Sequence, residues 1–179
     1  MLRRNIVPAL ALAVASLPLM AAPAVGQDLS RVERQVRHEL VTLPFYSVFD
    51  NLSFKVDGNK VTLMGQVTRP SLKNTAEKTL KNIEGIDEID NQIEVLPNSP
   101  NDDRIRVAAY RAIYGQSAMQ RYQLQAVPPI HIIVKNGDIE LVGVVATEGE
   151  KNIAGIQAQG VNGAFKVTNN LRVENEKEE

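Results

Sequence analysis

Between Arg104 and Tyr122 the chain reads RIRVAAYRAIYGQSAMQRY. Four arginines (Arg104, Arg106, Arg111, Arg121) are interleaved with Tyr110, Tyr114, Met119 and Tyr122, and three of the four tyrosines of the sequence fall in these 19 positions. Guanidinium groups beside amphipathic rings suit the headgroup layer of an anionic membrane, where each cation near the surface adds about 1 kcal/mol. They also suit a docking surface for an envelope protein. The same four-residue spacing describes a core-facing stripe, with Tyr110 and Tyr114 packed on a sheet and the arginines solvating the helix. As a candidate membrane or partner patch, the stretch is the most distinctive chemistry in the sequence.

Little else could react or coordinate. The sequence has no cysteine and two histidines. His38 shares a charged helical pattern with Arg34 and Arg37, and His131 stands beside Ile133 in a strand pattern, so neither has the further nitrogen or sulfur ligands a transition metal needs. Glu84, Asp87, Glu88, Asp90 and Glu94 are clustered, yet they lack the alternating loop with a central glycine that holds Ca²⁺; a solvated strand edge accounts for them. Nucleophile-elbow, phosphate-loop and zinc-helix motifs are missing. The sequence thus predicts no catalytic residues, no metal and no cofactor, and the expectation is a protein that is not an enzyme.

These residues belong to a chain of 179, long enough for one medium domain or two small ones. Twenty basic against 21 acidic side chains exclude a strongly basic nucleic-acid binder. Residues 1–26 differ from the rest: Arg3 and Arg4, an apolar run from Ile6 to Met20, then Ala22, Ala24 and Gly26. That is the order of a secretory signal, with cleavage expected near Gly26. It predicts a periplasmic or secreted protein of a bacterial envelope, with a mature net charge of −3 once the two arginines are gone.

What remains is a repeat. Shifted by 78 positions, residues 56–95 fall on 134–173 with ten identities in 40 pairs. Among them are Gly65 with Gly143, Lys73-Asn74 with Lys151-Asn152, Gly85 with Gly163 and Asn91 with Asn169. Each copy patterns as helix, strand, strand, helix, strand. Val32, Val36 and Leu40 follow Ser30, a candidate N-cap. Leu52, Phe54 and Val56 alternate before Asp57-Gly58-Asn59, and Val61 and Leu63 alternate after it, which predicts a hairpin. Pro70 opens a helix through Leu72, Ala76 and Leu80 that Gly85 ends; Ile89, Ile93 and Val95 close the copy. In the second copy a helix is expected from Asn101, strands on either side of Asn136-Gly137, a helix over 151–160 and a strand over 165–173. About five extra residues fall within Gly115–Pro129. Gly65 and Gly143, inside strands, are expected to let the covering helix approach closely.

The predicted fold is therefore α+β: two tandem α-β-β-α-β domains, over 28–97 and 101–174. Each has a three-stranded mixed sheet with two helices on one face, and 175–179 form a charged tail. The short Pro97–Asn101 linker predicts copies that pack on each other. The strands VTLMGQV and IELVGVV and the endings NIEGIDEIDNQIEV and GVNGAFKVTNNLRV resemble the BON family, named for bacterial osmotic induction and nodulation proteins. The resemblance implies a non-enzymatic envelope module that binds anionic phospholipid or an envelope protein. The alternative it implies is a soluble periplasmic stress protein or chaperone holding unfolded clients. It carries no shared set of functional residues, and the oligomeric state stays open.

Overall fold

The computed structural model describes residues 25–125 and 128–174, with residues 25–30 as helical backbone only. Apart from Val25 and Gly26, the expected export segment lies outside the described residues, as does the charged tail.

The first copy comprises α1 (Val25–Val41), β1 (Asn51–Asp57), β2 (Lys60–Val67), α2 (Pro70–Leu80), β3 (Glu88–Asn91) and β4 (Glu94–Val95). The second comprises α3 (Pro100–Tyr114), a single 3-10 turn over Ser117–Met119, α4 (Gln120–Gln123), β5 (Ile130–Lys135), β6 (Asp138–Val145), α5 (Glu148–Gln159) and β7 (Lys166–Val173). In each sheet the hairpin is antiparallel, and the strand after the second helix returns parallel to the central one. This is the expected α+β architecture. The hairpin turns are Gly58-Asn59 and Asn136-Gly137. Asn136 and Gly137 both have positive φ, 54° and 83°, as a type I′ turn requires.

Each copy has its own core. Val36, Leu63, Leu72, Ala76 and Leu80 centre the first; Ile105, Ala109, Ile132, Leu141, Ala154 and Leu171 centre the second. Burying each of the larger side chains contributes about 1.5–3 kcal/mol. One repeated residue ties helix to edge strand in both. Asn91 Nδ2 donates to the Lys73 carbonyl of α2 at 3.0 Å, and Asn169 Nδ2 to the Lys151 carbonyl of α5 at 2.8 Å.

Several expectations need correction. Helix α1 runs back past Ser30 to Val25, so Ser30 is not its N-cap. The last strand of the first sheet is split into β3 and β4, both parallel to β2, whereas β7 of the second copy is continuous. Helix α3 starts at Pro100, where Ser99 Oγ accepts from the Asp102 amide, and α5 starts at Glu148 behind a Thr147–Glu150 capping box. Gly65 and Gly143 make room for a neighbouring strand, not for a helix. With φ of 110° and 135°, a Cβ there would lie 2.1 Å from the Asn51 carbonyl oxygen and 1.8 Å from that of Pro129.

The copies pack through the connector between α1 and β1. Val48 is buried in the core of the second copy, and its carbonyl accepts the Ile132 amide at 2.8 Å, which pairs the outer edge of β5. Phe49 meets the Tyr110 ring edge-on at 6.2 Å, and Tyr46 lies 5.6 Å from His131. Lys135 and Glu94 form an ion pair across the junction at 2.6 Å. The connector is fixed by the fully buried Asp50. One carboxylate oxygen accepts from the Ser47 amide and hydroxyl (3.0 and 2.7 Å), the other from the Thr68 amide and hydroxyl (2.7 and 2.8 Å).

The junction carries a pH dependence. Burial holds the His131 imidazole below its ordinary pKa, opposed by the Asp50 and Ser47 carbonyls and the Asp50 carboxylate. The folded chain therefore takes up the His131 proton at a lower pH than the unfolded chain, whose imidazole titrates near pH 6.5. This contribution is intact above pH 6.5 and is lost as pH falls below it. Glu77 and Glu150, whose pKa values are lowered on folding, lose theirs only below the ordinary Glu value of 4.5. Urea midpoints measured from pH 7 to pH 5 should fall for the parent and stay flatter for His131→Gln; parallel curves would refute this role.

Candidate binding face

Helix α3 turns Ile105, Ala109 and Ile113 into the core, and that orientation decides where the predicted patch residues go. Four of them are buried, contrary to a surface patch. Arg106 is 4 % exposed: Nη2 donates to the Val134 carbonyl at 2.7 Å and Nη1 pairs with Asp103 at 2.6 Å. Tyr114 is buried with its hydroxyl donating to the Ile130 carbonyl at 2.7 Å, and burial pushes that phenol's pKa up. Met119 is fully buried in the core. Tyr122 is buried, its hydroxyl donating to Glu150 Oε2 at 2.9 Å and accepting from the Ala146 amide at 2.9 Å. All four go inward because a polar atom reaches an acceptor on a strand or helix 16 to 28 residues away, or, for Met119, because the inserted segment folds back over the core.

The remaining four divide again. Tyr110 is half-buried between Phe49 and Tyr114, and its hydroxyl accepts from Gln123. Arg121 is exposed, yet its charge is met by Glu150 while it stacks at 4.8 Å over Tyr122. Arg104 and Arg111 stay on the outer flank of α3, with Val107 (42 % exposed) and Ala108 between them. Arg104 hydrogen-bonds Asn101 at 2.9 Å; neither arginine meets a carboxylate among the described residues.

Val107 is also a wall of a cleft of about 740 Å³ between the copies, with Phe49, Arg69, Val95, Pro97 and the buried Arg106. Arg69 stands at the N-cap of α2 and lies 5.0 Å over the ring of Phe45, which is 70 % exposed. A contiguous face therefore runs from Phe45 and Arg69 in the first copy, past Val107, to Arg104 and Arg111 in the second. Sequence reasoning missed its first-copy half. The 78-residue shift held one usable signal, since it sets Arg69 opposite the capping residue Thr147. Four of the five residues of the acidic cluster have partners: Asp87 accepts from Asn59, Glu88 pairs with Lys60, Asp90 accepts from Gln92, and Glu94 pairs across the junction with Lys135.

The BON domain model matches residues 28–97 and 116–175, well over half of the chain. The chain belongs to the BON family. BON domains are non-catalytic binding modules associated with the cell envelope and with phospholipid. The second match begins after α3, although α3 packs on β5 and α5 of the second BON copy. Two solved structures of CdsD, a structural protein of the type III secretion system of Chlamydia trachomatis, are similar at 11 % identity with TM-scores of 0.31. One, of its C-terminal domain, covers 78 % of this chain and 96 % of that one; the other covers 82 % and 94 %. No curated protein matches the chain. Among the described residues no helix is long and apolar enough to cross a membrane.

Proposed function

We propose that this tandem BON protein is an envelope module that attaches peripherally to anionic phospholipid bilayers, without catalysing a reaction. The observation that carries the reading is the set Arg69, Arg104 and Arg111. All three are exposed, border the same apolar strip at Val107, and meet no carboxylate among the described residues. A cation that is not internally neutralised keeps its full attraction for headgroup phosphates. The four buried members of the sequence patch hold the second copy together instead, and the reading takes 28–97 and 101–174 as the two copies. Function in the periplasm after export belongs to the same proposal.

Three cations at about 1 kcal/mol each predict that Arg69→Glu/Arg104→Glu/Arg111→Glu, which removes them and adds repulsion, weakens attachment by at least about a hundredfold. The measurement is flotation with vesicles of phosphatidylcholine containing phosphatidylglycerol, at low and high salt. Salt-sensitive flotation of the parent, lost in the triple variant, supports the reading. Flotation that ignores salt, or none, overturns it and favours an envelope protein or unfolded client as partner.

A further inference from the structure

Two residues of the binding face sit where local structure disfavours them. Phe45 follows Pro44 in a turn closed by the Tyr46 amide donating to the Leu43 carbonyl at 3.2 Å. Its φ is +69°, and the third position of a turn with proline second and positive φ third normally takes glycine or asparagine. The other positive-φ residue besides glycine among the described residues is Asn136, a type that tolerates it. Folding recovers little from the ring, which remains 70 % exposed.

Arg69 is the second misfit. At the N-cap of α2 its side chain makes no capping bond, and a cation there opposes the helix dipole. The corresponding helix of the second copy begins instead with Thr147 and a complete capping box. These two disfavoured residues, 24 positions apart in sequence, meet in one exposed stack with the guanidinium 5.0 Å from the ring centroid. Neither local preference nor burial accounts for the pair, and an exposed stack of this kind contributes little to stability.

We propose that Phe45 is the element of this protein that enters the bilayer, passing between headgroups into the upper acyl region while Arg69 stays with the headgroup phosphates. This deepens, and rests on, the membrane-attachment reading. An anionic lipid surface fits because the ring projects from a turn, carries its own cation, and is continuous with the Arg104 and Arg111 strip. The division of labour is that of an interfacial anchor: an apolar side chain below the headgroups and guanidinium groups among them.

The sequence contains no tryptophan, so Phe45→Trp in the full chain reports from a single site. On vesicles containing phosphatidylglycerol its emission should shift to shorter wavelength and be quenched by lipids brominated on the upper acyl carbons. Neither change should occur with phosphatidylcholine alone. Phe45→Gly should float at least tenfold less than the parent with a melting temperature no lower than the parent's. Two results overturn the insertion while leaving attachment in place: a parent that floats while the indole emission of the Phe45→Trp chain is unmoved, or a Phe45→Gly chain that floats as well as the parent. A parent that does not float overturns attachment and insertion together. A Phe45→Gly chain that melts several degrees lower assigns the ring to stability and overturns the proposal.

Discussion

Gly143→Ala is expected to lower the stability of the chain by more than about 4 kcal/mol, a large share of the stability of an ordinary domain. The added Cβ would sit 1.8 Å from the Pro129 carbonyl oxygen, which belongs to backbone and cannot swing away as a side-chain tip could. That oxygen also accepts the Val144 amide at 3.1 Å, so relieving the clash breaks the start of the β5–β6 hairpin. Gly85→Ala supplies the comparison. It too has positive φ, but the nearest atom to its Cβ is a Val32 methyl at 3.5 Å. Only the left-handed backbone is then penalised, by about 1–2 kcal/mol. Urea denaturation of the two variants separates clash from conformation. A Gly143→Ala midpoint as high as that of Gly85→Ala would show that the β5–β6 ladder yields easily and would sink the argument.

Asp50→Ala is the second large effect, with an expected loss of about 3–5 kcal/mol. Two backbone amides, Ser47 and Thr68, lose a charged acceptor in a buried site, and each unsatisfied donor costs about 1–3 kcal/mol. The damage should not stay in the first copy. Asp50 fixes the connector whose Val48 carbonyl pairs with β5, so amides of the second copy should exchange faster as well. Hydrogen exchange resolved by residue tests this: increased exchange confined to residues 47–68, with Ile132 still protected, would show that Asp50 serves one copy alone.

The fold was legible because its determinants are local and occur twice. The alternating Val61 and Leu63, the hairpin at Asn136-Gly137 and the helix after Pro70 declare themselves within a few residues, and the 78-residue shift checks each against its counterpart. The repeat also marked Gly65, Gly143, Asn91 and Asn169, although their reasons are tertiary. A carbonyl oxygen on the neighbouring strand explains the glycines, and a carbonyl on the preceding helix explains the asparagines.

The binding face was legible only in part. A four-residue stripe of tyrosines reads the same whether it meets lipid or core, and what decided it was a set of acceptors distant in the chain. Arg106 is drawn inward by the Val134 carbonyl, Tyr114 by that of Ile130, and Tyr122 by Glu150 on α5. No periodicity encodes such partners. Phe45 was invisible for another reason: a positive φ is normally announced by glycine, and here it is occupied by phenylalanine.

Val48 makes the exposed edge of one copy depend on the other. The backbone carbonyl that pairs with Ile132 lies more than eighty residues upstream of it, in the connector of the first copy. In the intact chain that carbonyl occupies the outer edge of β5 where another molecule's strand could otherwise pair. A second copy produced alone would carry the Ile132 amide unpaired, open to pairing between molecules.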